Sequence, residues 1–385
     1  MPAFEEPIFV VHPHDLYLWG LEEVFPNACF LVDQPGCLST IDLFEYADVT
    51  RRIPKNSAVL VMKPAPKLSK IAGDRGWRLC APSVELNRRF ENKLTINNEF
   101  LAVHLPTLPY LVSPLEKLSY AALRERFGPR LVVQKERGHA GSSTHGVGSL
   151  EVFENLKKEI ASFPAKISPW LEGETWTLNG VVTRFGTLVS RPFLQLQNVA
   201  AYGTSNPFTT CGNAHVPIGD ELALEIMGQA ERFGAHLHRE GYSGWFGLDV
   251  LVKDGTIVGW IECNPRLTAS CGVFSAMQKE AGQTPFALLH VLETLGIPYT
   301  LDLVQEQRRL ADGFMESHVV LRNEKSETMK CSSVPPRTPW SVLRGGEKTM
   351  VARAPGTEVP PGEPFAVVYK RGLFSPEELA GLPTC

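Results

Sequence analysis

Eight cysteines (Cys29, Cys37, Cys80, Cys211, Cys263, Cys271, Cys331 and Cys385) are scattered through the 385 residues, but no Cys-x-x-Cys pair and no zinc-knuckle spacing occurs. This excludes the usual sequence signs of a zinc site or a dithiol redox motif, and reduced thiols in a cytoplasm account for the eight. Long apolar runs are missing too. Nowhere do about 18 consecutive residues stay apolar, the length a membrane span needs. The first residues, MPAFEEPIFVVHPHD, carry acids where a signal peptide carries bases, so the sequence reads as cytoplasmic. Nor is there an excess of positive charge. A formal net charge of -4 gives no electrostatic case for nucleic acid or an anionic membrane as partner, and small molecules become the default. Neither G-x-x-x-x-G-K-[ST] nor G-x-G-x-x-G occurs, which removes the P-loop and Rossmann readings. No repeat at a solenoid period is visible.

What is present is ordinary globular composition, 43 % hydrophobic and 21 % charged. At about 150 residues per domain the length suggests two or three packed units. PIFVVH (7–12), ACFLVD and SAVLVMK (57–63) are short apolar runs of the kind that form buried strands in an α/β domain. Pro82 and Ser83 then start a helix with Leu86, Phe90 and Leu94 at helical spacing, and a boundary falls near Lys93. From Leu131 the pattern turns to strands and hairpins: LVVQK, the helical EVFENLKKEIASF, ISPWLEG, and two strands around Arg184-Phe185-Gly186. Residues 197–218 are rich in Gly, Asn, Thr and Pro without a period and read as a functional loop. A helix ends at Gly241, and two strands, WFGLDVLVK and TIVGWIECNP, are joined by Asp254-Gly255, a strong hairpin signal. An apolar helix from Thr284 to Leu295 follows, then a β-rich unit from Gly313 to Gly372.

Two stretches carry chemistry. WIECNPRLTAS sets Glu262, Asn264 and Arg266 two apart, and strand residues at i and i+2 share a face. The tight turn places Asp249 opposite the segment holding Glu262, so Asp249, Glu262 and Asn264 can present three hard oxygen ligands to magnesium, which keeps waters and shares substrate phosphates. A hairpin bearing solvated polar residues is the bland alternative. The second stretch, LVVQKERGHAGSSTHGV, is a strand ending in Lys135, then Gly138, Gly141, Ser142, Ser143, Thr144 and Gly146. Small residues let backbone N–H groups close around phosphate oxygens while the lysine supplies charge, although a plain surface loop would look the same.

In order, Lys93 at a helix, Lys135 before a glycine-rich loop, PWLEGE, and D-x(12)-E-x-N followed by Pro-Arg resemble the ATP-grasp superfamily. ECNPR is similar to the carbamoyl-phosphate synthetase and biotin carboxylase branch. The resemblance spans nearly the whole chain. It implies an α/β and α+β architecture: a pre-ATP-grasp α/β domain (1–92), an ATP-grasp domain (93–312) with a lid subdomain at about 130–195 and a larger antiparallel-sheet subdomain, and a small β-rich C-terminal subdomain (313–385). It further implies ATP with Mg2+, or Mn2+, as cofactors. Lys93 and Lys135 would contact phosphates, and the loop with Gly141, Ser142 and Ser143 would fold over them. The backbone of Pro169, Trp170 and Leu171 would bind the adenine edge. Ser168 and Thr175 stand where family members often carry acidic or amide residues, so Glu174 would take the ribose. Asp249, Glu262 and Asn264 match the magnesium ligands, with Asn264 and Arg266 catalytic and Arg266 holding the transferring phosphate or acyl phosphate.

These expectations fit one chemistry. A carboxylate attacking the γ-phosphate of ATP brings two anions together, and cations must neutralise the charge as it moves. An amine would then displace phosphate to give an amide. The expected function is ligation of a small carboxylate and a small amine, amino acids first, in secondary metabolism; a homodimer is compatible with the family. A carboxylating or carbamoylating enzyme, or a carboxylate–thiol ligase of the same fold, is the second reading, although no Ala-Met-Lys-Met biotin motif, glutaminase region or second ATP-grasp unit occurs. A nucleotide-binding regulatory or scaffold protein is the third. Arg191, after a strand running towards the site, is a candidate for the substrate carboxylate and equally an ordinary surface arginine. The pairs His12/His14 and His236/His238 read as structural, the latter because i and i+2 do not share a helix face. Cys263 and Cys271 read as packing.

Overall fold

The apolar runs near the amino terminus become strands β1 (Ile8–Val11), β2 (Ala28–Leu31), β3 (Ala58–Val61) and β4 (Arg78–Cys80), all parallel, in the order β2-β1-β3-β4. Strands covered on both faces need no polar alternation, and β1 and β3 are buried along their whole length. Helices α1 (Leu21–Val24), α2 (Thr40–Glu45), α3 (Ala47–Arg51) and α4 (Pro66–Arg75) make the crossovers. This is a computed structural model describing residues 4–31, 39–138, 141, 143–160, 162–197, 206–313, 316–331, 340, 343, 348–375 and 377–378.

The helix expected at Ser83 is α5 (Val84–Phe90), where the serine hydroxyl accepts from the Leu86 N–H. It ends four residues short of Leu94, and after a break at Lys93 the chain resumes as α6 (Ile96–Ala102). In the region expected as the lid, β5 (Leu111–Pro114), β6 (Leu131–Lys135), β7 (Thr144–Val147) and β8 (Pro164–Pro169) form a four-stranded antiparallel sheet ordered β5-β8-β6-β7; it begins before the expected bound near 130, and residues 174–195 belong to the central sheet instead. Helices α7 (Tyr120–Phe127) and α8 (Leu150–Ile160) cover one face, enclosing Leu131, Val133, Phe153, Ala165 and Ile167.

The central sheet begins with β9 (Glu174–Thr183), β10 (Gly186–Val189), β11 (Phe193–Gln197), β12 (Thr210–Ala214), β13 (Gly244–Lys253) and β14 (Thr256–Asn264). β12 lies within 197–218, which the sequence presents as loop. Its composition, TCGNA, has little strand propensity, and pairing on both edges makes it a strand. Residues 198–205 of that stretch lie outside the described residues. Helix α9 (Asp220–Arg239) packs Ile226, Ala230, Phe233 and Leu237 on this sheet, while α10 (Cys271–Glu280), α11 (Phe286–Thr294) and α12 (Leu303–Leu310) occupy the other side. The C-terminal strands β15 (Glu316–Arg322), β16 (Met329–Lys330), β17 (Thr349–Ala352), β18 (Glu358–Val359) and β19 (Pro364–Arg371) follow. β15 hydrogen-bonds to β12, so β15, β19 and β17 extend the central sheet, and β16 pairs with β18 alone. No described helix is long and apolar enough to cross a membrane.

Candidate active site

The Asp254-Gly255 turn forms as expected, with Asp254 at φ 50° and Gly255 at φ 72°, and it fixes the pairing of β13 with β14. Asp249 stands directly opposite Glu262, and Gly247 opposite Asn264. A bulge between Asp249 and Val250 absorbs one residue of β14, which keeps the acids in register. Asp249 also lies opposite Thr177 of β9. The other charges come from separate elements. Lys93, in the break between α5 and α6, is 4 % exposed and pairs with Glu262. Its backbone N–H donates to the carbonyl of Glu136, just past β6, which ties the lysine to the base of the lid.

Arg266 Nε donates to Glu91 (2.9 Å), one Nη donates to the Asn264 side-chain oxygen (3.0 Å), and the other donates to the Leu267 carbonyl (3.1 Å). Glu91 also pairs with Lys63, past the carboxyl end of β3. Burial opposes ionisation of Glu91, yet the charges of Arg266 and Lys63 hold its carboxyl below the usual range. A chain of charge therefore runs from the parallel domain to the hairpin. Asp249 goes the other way: burial first, then the Glu262 charge, push it up to about 7 against a Thr177 hydrogen bond and the charges of Lys93 and Arg266.

Among the described residues no three His, Cys, Asp or Glu side chains gather as a metal cluster. Two facing carboxylates and one amide oxygen do fit magnesium, which takes few protein oxygens and completes its shell with water and phosphate. The two acids stand opposed across one rung, and burial followed by the Glu262 charge is what raises Asp249.

The lid supplies the unexpected part. Side chains alternate along β6, and Leu131 and Val133 face the helices, so Lys135 faces them as well; its Nζ lies 3.1 Å from Glu159 of α8. The opposite face carries Gln134, and directly across from it on β8 stands Lys166. Lys166 is 4 % exposed and donates to the Asn97 side chain (3.2 Å). Burial, then the neighbouring Lys93 charge, pushes its ammonium down to about 8, with Glu262 opposing. The lysine that this sheet adds on the side of Lys93 and Glu262 thus comes from β8. Only the sheet's phase betrays this, and phase is invisible until one knows which face the helices cover.

The other expected positions are placed as follows. Gly141 adopts φ 83° with the Phe208 carbonyl so close that no Cβ would fit, and Asn206 donates to the Gly141 and Thr144 carbonyls. Ser143, buried, accepts from the Lys135 N–H through its carbonyl. Ser142 lies outside the described residues. Pro169 ends β8, the Trp170 N–H donates to the Arg130 carbonyl (2.9 Å), and the indole rests between the Arg130 guanidinium and the Phe208 ring, while Leu171 is exposed. Glu174 accepts from the Trp176 indole N–H. Arg191 donates to the Ala311 and Ile218 carbonyls and pairs with Asp220, contacts that tie down loops and include none of the acids above. His236 holds Glu99 of α6, a structural role, while His238 is exposed. Cys263 and Cys271 are fully buried and burial pushes both thiols up, away from reactivity.

The family described as the ATP-grasp domain matches residues 91–270. Those residues are an ATP-grasp domain. No curated relative matches in sequence. Solved structures match over 97 % of the chain. N5-carboxyaminoimidazole synthase from Aspergillus clavatus, in complex with ADP and 5-aminoimidazole ribonucleotide, is similar at 14 % identity with a TM-score of 0.63 and 96 % of its own chain covered. Biotin carboxylase from Campylobacter jejuni, in an ATP-analogue complex, is similar at 10 % identity with a TM-score of 0.67 and 89 % covered. The biotin carboxylase domain of the Hydrogenobacter thermophilus 2-oxoglutarate carboxylase, with MgADP and bicarbonate, gives 11 %, 0.65 and 87 %. At such identities the likeness speaks to the fold.

Proposed function

We propose that the protein is an ATP-dependent ligase that activates a small carboxylate as an acyl phosphate and passes the acyl group to an amine, releasing ADP and phosphate. The observation that carries this reading is the meeting of Lys93, Lys166 and Arg266 with the facing acids Asp249 and Glu262 at one end of the β13–β14 hairpin. Phosphoryl transfer needs positioning and neutralisation of charge more than covalent chemistry from the protein. Asp249, Glu262 and Asn264 would hold magnesium, which supplies neutralisation of the phosphate oxygens. Lys93 and Lys166 would then bind the phosphates from the hinge and lid sides. Arg266 would turn from Asn264 towards the new acyl phosphate while Glu91 keeps its orientation. The Gly141–Gly146 stretch, held by Asn206, would close over the phosphates and keep water from the activated acid. Glu174 and the backbone of Pro169 to Leu171 are the positions for the ribose and the adenine edge.

Amino acids are the first substrates to try, in a biosynthetic setting. Bicarbonate, present with MgADP in the Hydrogenobacter structure, is the competing acid. Phosphate release from MgATP across a matrix of single and paired amino acids, with bicarbonate wells alongside and mass spectrometry on active wells, tests both. The expected outcome is release requiring one pair, a product lighter than the two acids by one water, and a loss of at least about a hundredfold in Glu262→Ala. Release with bicarbonate and one amine would select the carboxylating chemistry. Nucleotide binding without release in any well would count against a ligase.

A further inference from the structure

A second group of buried polar side chains lies apart from the acid pair, between the loop after β1 and the C-terminal strands. Arg353, two residues past Val351 of β17, is 3 % exposed, and among the described residues nothing hydrogen-bonds its Nε and no carboxylate pairs with its guanidinium. Arg322 ends β15 on the other side of β19 and spends its two Nη groups on the Gly362 and Thr210 carbonyls. Facing them, His12, His14 and Tyr17 pack edge to face, His14 being 5.1 Å from Tyr17 and 4.4 Å from His12. His12 and Tyr17 are half-buried, so part of each side chain stays accessible. His14, 5 % exposed, has no partner on its Nδ1 among the described residues. Burial above all keeps both histidines neutral, with the Arg353 charge lowering both and His12 further lowering His14, so neither adds a charge beside the guanidinium. Glu363 is the acid whose charge is felt here, at Tyr17.

A buried guanidinium without a counter-charge is costly, and its planar fork suits a carboxylate or a phosphate. Position agrees with that chemistry. β1 is where the order β2-β1-β3-β4 reverses, and ligands of such sheets bind beyond the carboxyl ends of the strands at the reversal. The pocket also borders the catalytic residues: the Tyr17 carbonyl accepts from Cys271 Sγ (3.6 Å) at the start of α10, shortly after Arg266.

Building on the ligase reading, we propose that His14, Tyr17, Arg322 and Arg353 form an oxyanion pocket that holds a carboxylate or phosphate group of the non-nucleotide substrate at the end remote from the reacting atoms. Arg353 is the recognition residue, and Tyr17 and His14 supply neutral donors.

The test is calorimetric titration and thermal shift of the full chain with inorganic phosphate, succinate and acetate, on the wild type, Arg353→Met, Arg353→Lys and Arg266→Gln. The expected result is saturable binding of phosphate or succinate that weakens at least tenfold in Arg353→Met, partly returns in Arg353→Lys and persists in Arg266→Gln. Phosphate alone or succinate alone identifies the group. Without anion, Arg353→Met melts at or above the wild-type temperature, because an uncompensated charge has been removed. Binding that survives in Arg353→Met and disappears in Arg266→Gln would place the anion in the catalytic centre and overturn the pocket, as would a lower melting temperature for Arg353→Met. Arg353-dependent binding in a chain that never turns over ATP would leave the pocket standing and remove the ligase.

Discussion

Lys166 is buried to 4 % exposure against a single neutral partner, Asn97, with another ammonium nearby, and its charge is held down to about 8 by burial and by Lys93. The ordinary lysine value is 10.5, so between about pH 8 and 10.5 the unfolded chain binds a proton that the folded chain has released. Stability therefore rises with pH across that window, and below it the full penalty is present, on the order of 3 kcal/mol at most. Lys166→Met, close in volume, is expected to melt higher than the wild type at pH 7, with the difference shrinking as pH approaches 10. Parallel curves for the two proteins would remove the argument. In the ligase assay the same substitution is expected to lower kcat/KM for ATP by roughly 10- to 100-fold, as loss of a hydrogen bond to charged phosphate does, while Lys135→Met changes it less than about threefold. The sequence points to Lys135 because a lysine before glycines has the right chemistry. It hides Lys166 because that lysine lies just ahead of the PWLEGE stretch and not within it, and only the pairing Gln134–Lys166 places it on the face away from the helices.

The hairpin β13–β14 is the element most legible in the sequence: Asp254-Gly255 fixes the turn, the turn fixes the register, and the register places Asp249 opposite Glu262. β12 is the least legible, since Gly212 and Asn213 argue for a loop, yet this strand joins β11 to β15 and so connects the ATP-grasp sheet to the C-terminal strands. Gly212 makes the junction possible. It lies at φ 138°, and a Cβ there would sit 2.0 Å from the His318 carbonyl oxygen on β15. Backbone on a paired strand cannot yield without breaking the ladder, so Gly212→Ala is expected to destabilise by about 3 kcal/mol or more. Gly73→Ala, in α4 with open space around it, is expected to be neutral or stabilising by up to about 1 kcal/mol. Chemical denaturation of the pair measures the contrast. Equal midpoints would mean that β12 and β15 are not firmly paired.

At the scale of the molecule, β15, β19 and β17 carry the central sheet onward and cover the start of the parallel domain. Leu16 and Trp19, both fully buried after β1, pack with Val320, Val351, Val367 and Tyr369, and the Tyr369 hydroxyl donates to the Leu16 carbonyl (2.6 Å). First and last elements thus share one core that also receives Val273 and Met277 of α10, the helix following Arg266. The composition shift near Gly313, which suggests a separate β-rich unit, cannot show this, because an apolar strand reads the same whether it packs within its own domain or against a partner far away in sequence. A chain truncated after residue 312 would expose Trp19, Leu16 and the β12 edge together. An open strand edge beside uncovered aromatic surface promotes association. The truncated chain is therefore expected to be insoluble or to lose its cooperative melt, and to release no phosphate from ATP even where the full chain does. A soluble 1–312 chain with a sharp transition and undiminished phosphate release would show that the β13–β14 hairpin stands without the C-terminal strands, and, because Arg322 and Arg353 are missing from that chain, that the pocket they line is not needed to hold the substrate.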